Sequence, residues 1–404
     1  MTERAWPAEF RSHVREFIHT ALPPALAGVT GFAERARAYR AALHRAGLAG
    51  LGIPAEFGGQ GLGEAEERIF AEESAGSVPG EDRVFQVGAR LVVPSLIGRG
   101  AHDLAREFGP GLLSGEMICC QLFSEPEAGS DLAGVRTRAA RTKDGDWLVT
   151  GQKVWTSYAQ YAGLGLLLAR TDPEAPKHQG LSMFLVDMDA PGVEVRPLRQ
   201  MSGDCEFNEV FFDEVRVPAD RLVGRPGEGW PAAVAVLGHE RVGVSRGDDS
   251  SPRRPIPYER LLELARHGGR DSDPAVRERL LDAFLGQRTA ALVSRRIAAR
   301  TLAGAEPGPE TSVGKLLRTA NGLHAARLAS DVALGAGATW AGDDTLAADA
   351  AFWVLDAPGM AMGGGTDEIQ RNTIGERMLG LPREHSVERG VPFRDLVRTR
   401  EGQQ

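Results

Sequence analysis

Cysteine is scarce in this chain: three occur in 404 residues, Cys119 and Cys120 side by side and Cys205 alone. An odd, sparse set excludes a disulfide framework and offers no metal-ligand spacing, so no metal site is expected. An excess of basic residues is also missing. The net charge is -8, which argues against a nucleic-acid partner, since that interaction wants a basic face. No apolar run approaches the ~18 residues that span a bilayer. The opening residues, "MTERAWPAEFRSHVREF", are charged from the third position and hold no apolar signal core. A cytoplasmic protein with no membrane association is therefore expected.

What is present is ordinary for a soluble globular protein: 25% charged and 42% hydrophobic residues. At about 150 residues per domain the length suggests two or three domains. Residues 1–116 read as helical. Phe10, Val14, Phe17 and Ile18 recur at helical spacing, "FAERARAYRAALHRAG" continues the pattern, and the glycines of "GLGIPAEFGGQGLG" interrupt it. Residues 117–225 change character. "MICCQLF", "WLVTGQKVW", "GLGLLLART", "LSMFLVDM" and "FNEVFFDEVRV" are short, rich in Val, Leu and Phe, and punctuated by Gly, Pro and Asp. They predict a small β-barrel or sandwich. Residues 226–384 return to the helical period in "GEGWPAAVAVLGHERVGV", "PAVRERLLDAFLGQRTAALVSRRIAARTLAG" and "TSVGKLLRTANGLHAARLASDVAL", and 385–404 form a tail. "SRGDDSSPRRPIP" and "GAEPGPE" read as loops. No internal repeat is evident.

Four short stretches could carry chemistry. "FSEPEAGSDLAG" (Phe123 to Gly134) follows a strand and combines small residues, two hydroxyls and two glycines. Such a loop lets backbone N–H groups approach a flat or anionic ligand, and it is equally an ordinary acidic turn. "GQKVWTS" sets Trp155 beside Thr156 and Ser157. An aromatic plane next to hydroxyls suits a ring system with polar edges, and a core tryptophan would look the same. "GGGTDEIQR" makes Thr366 a helix N-cap with Asp367 and Glu368 in the first turn. Its glycines would let a ligand lie against helix N–H groups, or the segment is simply a capped helix. In "VLGHERVG" and the valine after it, Val236, Leu237, Glu240 and Val244 fall at i, i+1, i+4 and i+8. That spacing puts Glu240 on an apolar helix face, where it is either a desolvated base or the partner of a nearby arginine.

In this order and spacing the motifs resemble the acyl-CoA dehydrogenase family, most closely an actinobacterial branch that handles varied acyl-CoA substrates. The resemblance covers about residues 1–384 and includes "FGGQGLG", "SEPEAGSD", "GQKVWTS", "FNEVFFDEVRVP" and "GTDEIQRNTIGERMLGLPRE". It implies an α+β multidomain fold with an N-terminal helical domain, a central β-domain and a C-terminal four-helix bundle. It implies FAD, bound without a covalent link between β-domain and bundle and often completed by a neighbouring subunit. Gln121, Leu122, Phe123, Ser124, Gly129 and Ser130 then match residues lining the flavin, with Ser130 also near the CoA portion of the substrate. Trp155, Thr156 and Ser157 match residues covering the flavin face and its N5 edge, and Thr366, Asp367 and Glu368 match further FAD contacts. Gly238, Arg241, Gly364 and Gly365 match substrate contacts.

The resemblance also locates the base. Many members carry a catalytic glutamate two residues before the threonine of "GTDEIQR", where this chain has Gly364. Others carry it on the first helix of the bundle, and that position is Glu240. The implied reaction is FAD-dependent α,β-dehydrogenation of an acyl-CoA or acyl carrier protein thioester to the trans-2-enoyl product, with an electron transfer flavoprotein as acceptor. A homo-oligomer, dimer or tetramer, is implied, with a mixed oligomer as alternative. The chain departs from the family where "SRGDDSSPRRPIP" replaces an Arg-x-x-Phe-Gly segment and "SDVALGAGA" replaces the Gln-x-x-Gly-Gly segment that grips FAD across a subunit contact. Two rival readings share the fold: a flavin-dependent monooxygenase or oxidase, which needs no α-proton base, and a non-catalytic subunit of a mixed complex.

Overall fold

A computed structural model describes residues 6–245, 255–302, 308–333, 345–385, 388 and 390–401. The chain divides into two compact units: residues 1–199, 205–239 and 385–404 form the first, and 200–204 with 240–384 form the second.

The first unit opens with helices α1 (Trp6–Glu16), α2 (Leu22–Leu26), α3 (Phe32–Arg45), α4 (Glu64–Glu73), α5 (Val93–Gly98) and α6 (His102–Ser114). Phe10, Val14, Phe17 and Ile18 are all buried, against Tyr39 and Leu43 of α3 and Ile69 of α4. The helical spacing of the sequence thus becomes one apolar face. Gly115 ends α6 in the left-handed region, φ 90, where a Cβ would stand 2.5 Å from the Cβ of Arg40. Arg40 is itself buried and held by both carboxylate oxygens of Asp82, at 2.5 and 2.8 Å.

The strands follow: β1 (Cys119–Leu122), β2 (Arg138–Arg141), β3 (Trp147–Ser157), β4 (Leu164–Arg170), β5 (Leu181–Asp187), β6 (Val193–Leu198), β7 (Phe207–Val217) and β8 (Leu222–Val223). They form one sheet in the order β6-β7-β3-β2-β4-β5-β8, with β1 added parallel to β4. All five strand-like runs of the sequence are strands. β4 and β5 are buried on both faces, which is why they read as unbroken apolar runs. Leu166 and Leu168 turn toward Val92, Leu96 and Leu112 of the helical region, while Leu167 and Ala169 turn toward Val149, Val210 and Phe212. Strand periodicity therefore feeds two cores from one sheet. After β8, α7 (Gly229–Ser245) begins, and its Ala232, Ala233 and Val236 join the first of those cores.

The second unit is helical. α8 (Tyr258–His267), α9 (Pro274–Leu302), α11 (Thr345–Met362) and α12 (Asp367–Arg377) all pack on α10 (Glu310–Val332). Small residues let α10 approach its neighbours: Ala325 and Ala329 are buried with Leu264, Leu280 and Ala350, and Asn321 donates to the carbonyl of Gly286 at 2.9 Å. Most of "SRGDDSSPRRPIP", part of "GAEPGPE" and the glycines of "SDVALGAGA" lie outside the described residues. No helix among the described residues is long and apolar enough to cross a membrane.

One buried ion pair joins the loop after β1 to the sheet. Lys153 of β3 is 0% exposed, and its Nζ donates to Glu125 Oε1 at 2.8 Å and to the Phe123 carbonyl at 3.0 Å. Glu125 also accepts from the backbone N–H of Arg136 (2.6 Å) and Thr137 (2.9 Å). Burial pushes the Glu125 carboxyl up, but Lys153 and these N–H groups outweigh it and hold it below the usual carboxylate range. Burial pulls the Lys153 ammonium down to about 8, against the opposing pull of Glu125. Substituting Lys153→Met strands a buried carboxylate and should cost about 3–5 kcal/mol. Urea unfolding reads this loss, and adding Glu125→Gln should recover part of it. Wild-type stability in Lys153→Met would show that the pair does not hold the loop.

Candidate functional site

Two surfaces collect the residues singled out in the sequence. On the first unit, β3 carries a bulge against β7: Lys153 pairs with Val210 and Thr156 with Asn208, so three steps on β3 oppose two on β7. The extra residue re-aims the side chains at that point. Trp155 sits there in the left-handed region, φ 59; the residue is 59% exposed, and its ring meets that of Phe207 edge-on at 5.7 Å. A bulky residue in that conformation is held against a cost of order 1 kcal/mol, a common mark of a functional position. Tyr158, φ 56, repeats the strain three residues on, its hydroxyl 3.1 Å from Glu206.

Thr156 follows with its side chain buried, and its Oγ1 has no hydrogen-bond partner among the described residues. Its carbonyl accepts from Asn208 Nδ2 at 3.0 Å, so the backbone is satisfied while the hydroxyl is not. Buried polar atoms seldom stay unpaired, and an orphan beside an exposed indole fits a ligand with polar edges. Ser157 is half-buried beside it.

The loop after β1 lies next to the bulge, since the N–H of Val154 donates to the Ser124 carbonyl at 2.9 Å. Leu122 and Phe123 are buried, Gln121 and Ser124 half-buried, and Gly129 and Ser130 exposed. Between them Glu125 and Ala128 exchange backbone hydrogen bonds of 3.2 and 3.0 Å, closing a tight turn. The loop and the bulge are thus brought together through Ser124, Glu125 and Lys153.

The second surface is the glycine turn before α12. Gly364 and Gly365 both take left-handed backbone, φ 66 and φ 85, which a side chain would oppose. Thr366 is the N-cap the sequence predicts, its side chain accepting from the N–H of Ile369 at 3.3 Å. Asp367 pairs with the buried Lys315 at 3.1 Å, and Glu368 is exposed. Gln370, 1% exposed, donates its amide to the Gly364 carbonyl at 2.9 Å.

Gly238 lies in α7 with open space where a Cβ would stand. The backbones of Glu240 and Arg241 continue that helix, while their side chains lie outside the described residues. Lys153, Glu125 and Gln370 are structural members of these surfaces that sequence reasoning left unassigned. A lysine on a strand that supplies a motif, with a glutamate inside the neighbouring motif, was the signal available for the pair.

The chain matches three family models in succession: the acyl-CoA dehydrogenase N-terminal domain over residues 7–116, the middle domain over 120–215 and the C-terminal domain over 227–379. It is 38% identical to the acyl-CoA dehydrogenase IpdE1 of Mycolicibacterium smegmatis, covering 93% of this chain and 98% of that protein. It is 40% identical to the acyl-CoA dehydrogenase FadE34 of Mycobacterium tuberculosis over 89% of this chain, but spans only 48% of that longer protein. Among solved structures, the Tcur3481-Tcur3483 steroid ACAD superposes with a TM-score of 0.76 at 28% identity, covering 95% of this chain and 99% of that one. The sequence motifs, the strained Trp155 bulge and these matches agree, and the chain belongs to the acyl-CoA dehydrogenase family, a family of flavoprotein oxidoreductases.

Proposed function

We propose that the protein is an FAD-dependent dehydrogenase that converts a bulky acyl-CoA thioester to its trans-2-enoyl product. The observation that carries this reading is the exposed, left-handed Trp155 next to the orphaned hydroxyl of buried Thr156. Trp155, Thr156 and Ser157, with Gln121, Leu122, Phe123, Ser124, Gly129 and Ser130, are the residues we assign to FAD on the first unit, and Thr366, Asp367 and Glu368 those on the second. When bound, FAD supplies the acceptor for the β-hydrogen as hydride.

Glu240 is the proposed base, its carboxylate taking the α-proton. Ser130, Gly238, Arg241, Gly364 and Gly365 are the proposed substrate contacts. Gly364 has no carboxylate to offer but retains its N–H, a donor for the thioester oxygen as negative charge develops there. The "steroid" in the name of the structural relative supports an acyl chain borne on a fused ring system. That relative is named for two proteins together, which supports a mixed oligomer as well as a second copy of this chain. An electron transfer flavoprotein is the proposed acceptor.

Three measurements test this reading. The purified chain should be yellow with FAD released by denaturation, and Thr156→Val should weaken FAD by about 5–10-fold, the worth of one hydrogen bond. Because that hydroxyl has no partner among the described residues, the stability of the apoprotein should not fall. A protein that takes up no FAD sinks the proposal. Under anaerobic conditions a cyclic or steroid-type acyl-CoA should bleach the flavin faster than butyryl-CoA, and the reverse order would overturn the substrate class. Glu240→Gln should keep FAD and lose turnover by ~10²–10⁴-fold, the usual contribution of a general base. Gly364→Glu combined with Glu240→Gly should restore only a small part, since a side chain at that left-handed backbone costs about 1–2 kcal/mol. Wild-type turnover in Glu240→Gln would move the base elsewhere.

A further inference from the structure

The last residues of the chain return to the first unit and grip the turn between β4 and β5. The N–H of Phe393 donates to the Ala175 carbonyl at 3.1 Å and that of Arg394 to the Pro173 carbonyl at 3.0 Å, while Arg394 pairs with Glu174 at 2.5 Å. α13 (Phe393–Glu401) starts there, beyond residue 379 where the family match ends.

Two side chains carry this grip through to the loop of Ser130. Phe393, 7% exposed, lays its ring 3.7 Å from the guanidinium carbon of Arg170. Arg170, 2% exposed, donates to the carbonyls of Ala133 (2.6 Å), Val135 (3.3 Å) and Lys177 (2.6 Å). A desolvated guanidinium under an aromatic face is fixed more firmly than one reached by water. Lys177 is buried in turn, and its Nζ bridges Asp131 Oδ2 at 2.5 Å and Glu388 Oε2 at 2.8 Å. Asp131, Ala133 and Val135 lie one, three and five residues after Ser130. Two relays therefore run from the tail to that loop, Glu388–Lys177–Asp131 and Phe393–Arg170–Ala133.

We infer that Glu388 and Phe393 are positioning residues, which set the place of the Ser130 loop through Lys177 and Arg170 and so govern how tightly the acyl-CoA is held. The link to substrate rests on the function proposed above; the link from tail to loop does not. The test uses the full-length, FAD-loaded protein with Glu388→Gln, Phe393→Ala, both together, and Phe393→Tyr as the conservative control. Hydrogen–deuterium exchange at residues 130–137 should quicken at least ten-fold in the double variant. KM for the best acyl-CoA should rise at least five-fold with kcat within two-fold, and Phe393→Tyr should behave as wild type. If exchange rises at residues 390–401 but stays unchanged at 130–137, the tail has left without moving the loop and the inference is overturned. If the double variant does not fold, Glu388→Gln alone decides by the same readouts. If wild-type protein turns over no acyl thioester, the proposed function fails, while exchange still rules on the coupling.

Discussion

The contact between Lys153 and Glu125 is the constraint on which the first surface depends. A lysine fully removed from water is tolerated only with a charge and hydrogen bonds to meet it. Glu125 supplies the charge and the Phe123 carbonyl a further acceptor, while two backbone N–H groups complete the carboxylate. The same four bonds tie together the loop after β1, the start of β2 and the bulge in β3. Two residues past Lys153 the chain turns left-handed at Trp155, and three past it the hydroxyl of Thr156 is left orphaned. The strained and unsatisfied groups are therefore neighbours of the best satisfied one, which anchors them.

The sequence was most legible where one periodicity ruled. Five apolar runs became β1, β3, β4, β5 and β7: β4 and β5 are buried on both faces, and buried residues recur along β1, β3 and β7. The strands it did not reveal lack that signature. β2 reads "RAAR", β6 reads "VEVRPL" with a proline and lies at the sheet edge, and β8 has two residues. Their partners, not their own composition, make them strands. The Thr366 cap was legible because its chemistry is local. The ties of Gln370 to the glycine turn and of Arg170 to Ala133 were not: the first depends on backbone φ, and the second on a topology that brings residues 37 apart into contact.

Glu240 and Gly364 lie on different elements, α7 and the glycine turn before α12. The place of Glu240 on α7 agrees with the helical spacing in "VLGHERVG", while its side chain lies outside the described residues. The left-handed φ at Gly364 explains why a glycine is well suited there.

The glycine turn has a thermodynamic consequence. Glycine loses more conformational freedom on ordering than any other residue, about 1–2 kcal/mol for each backbone fixed. A loop of two consecutive glycines would ordinarily lose that freedom at the moment a ligand arrived. Here the side-chain amide of Gln370 already holds the Gly364 carbonyl, from a helix that Thr366 caps and Lys315 anchors through Asp367. The ordering has been completed during folding, so a molecule that docks against this turn meets a preorganised surface and keeps more of its contact energy as affinity.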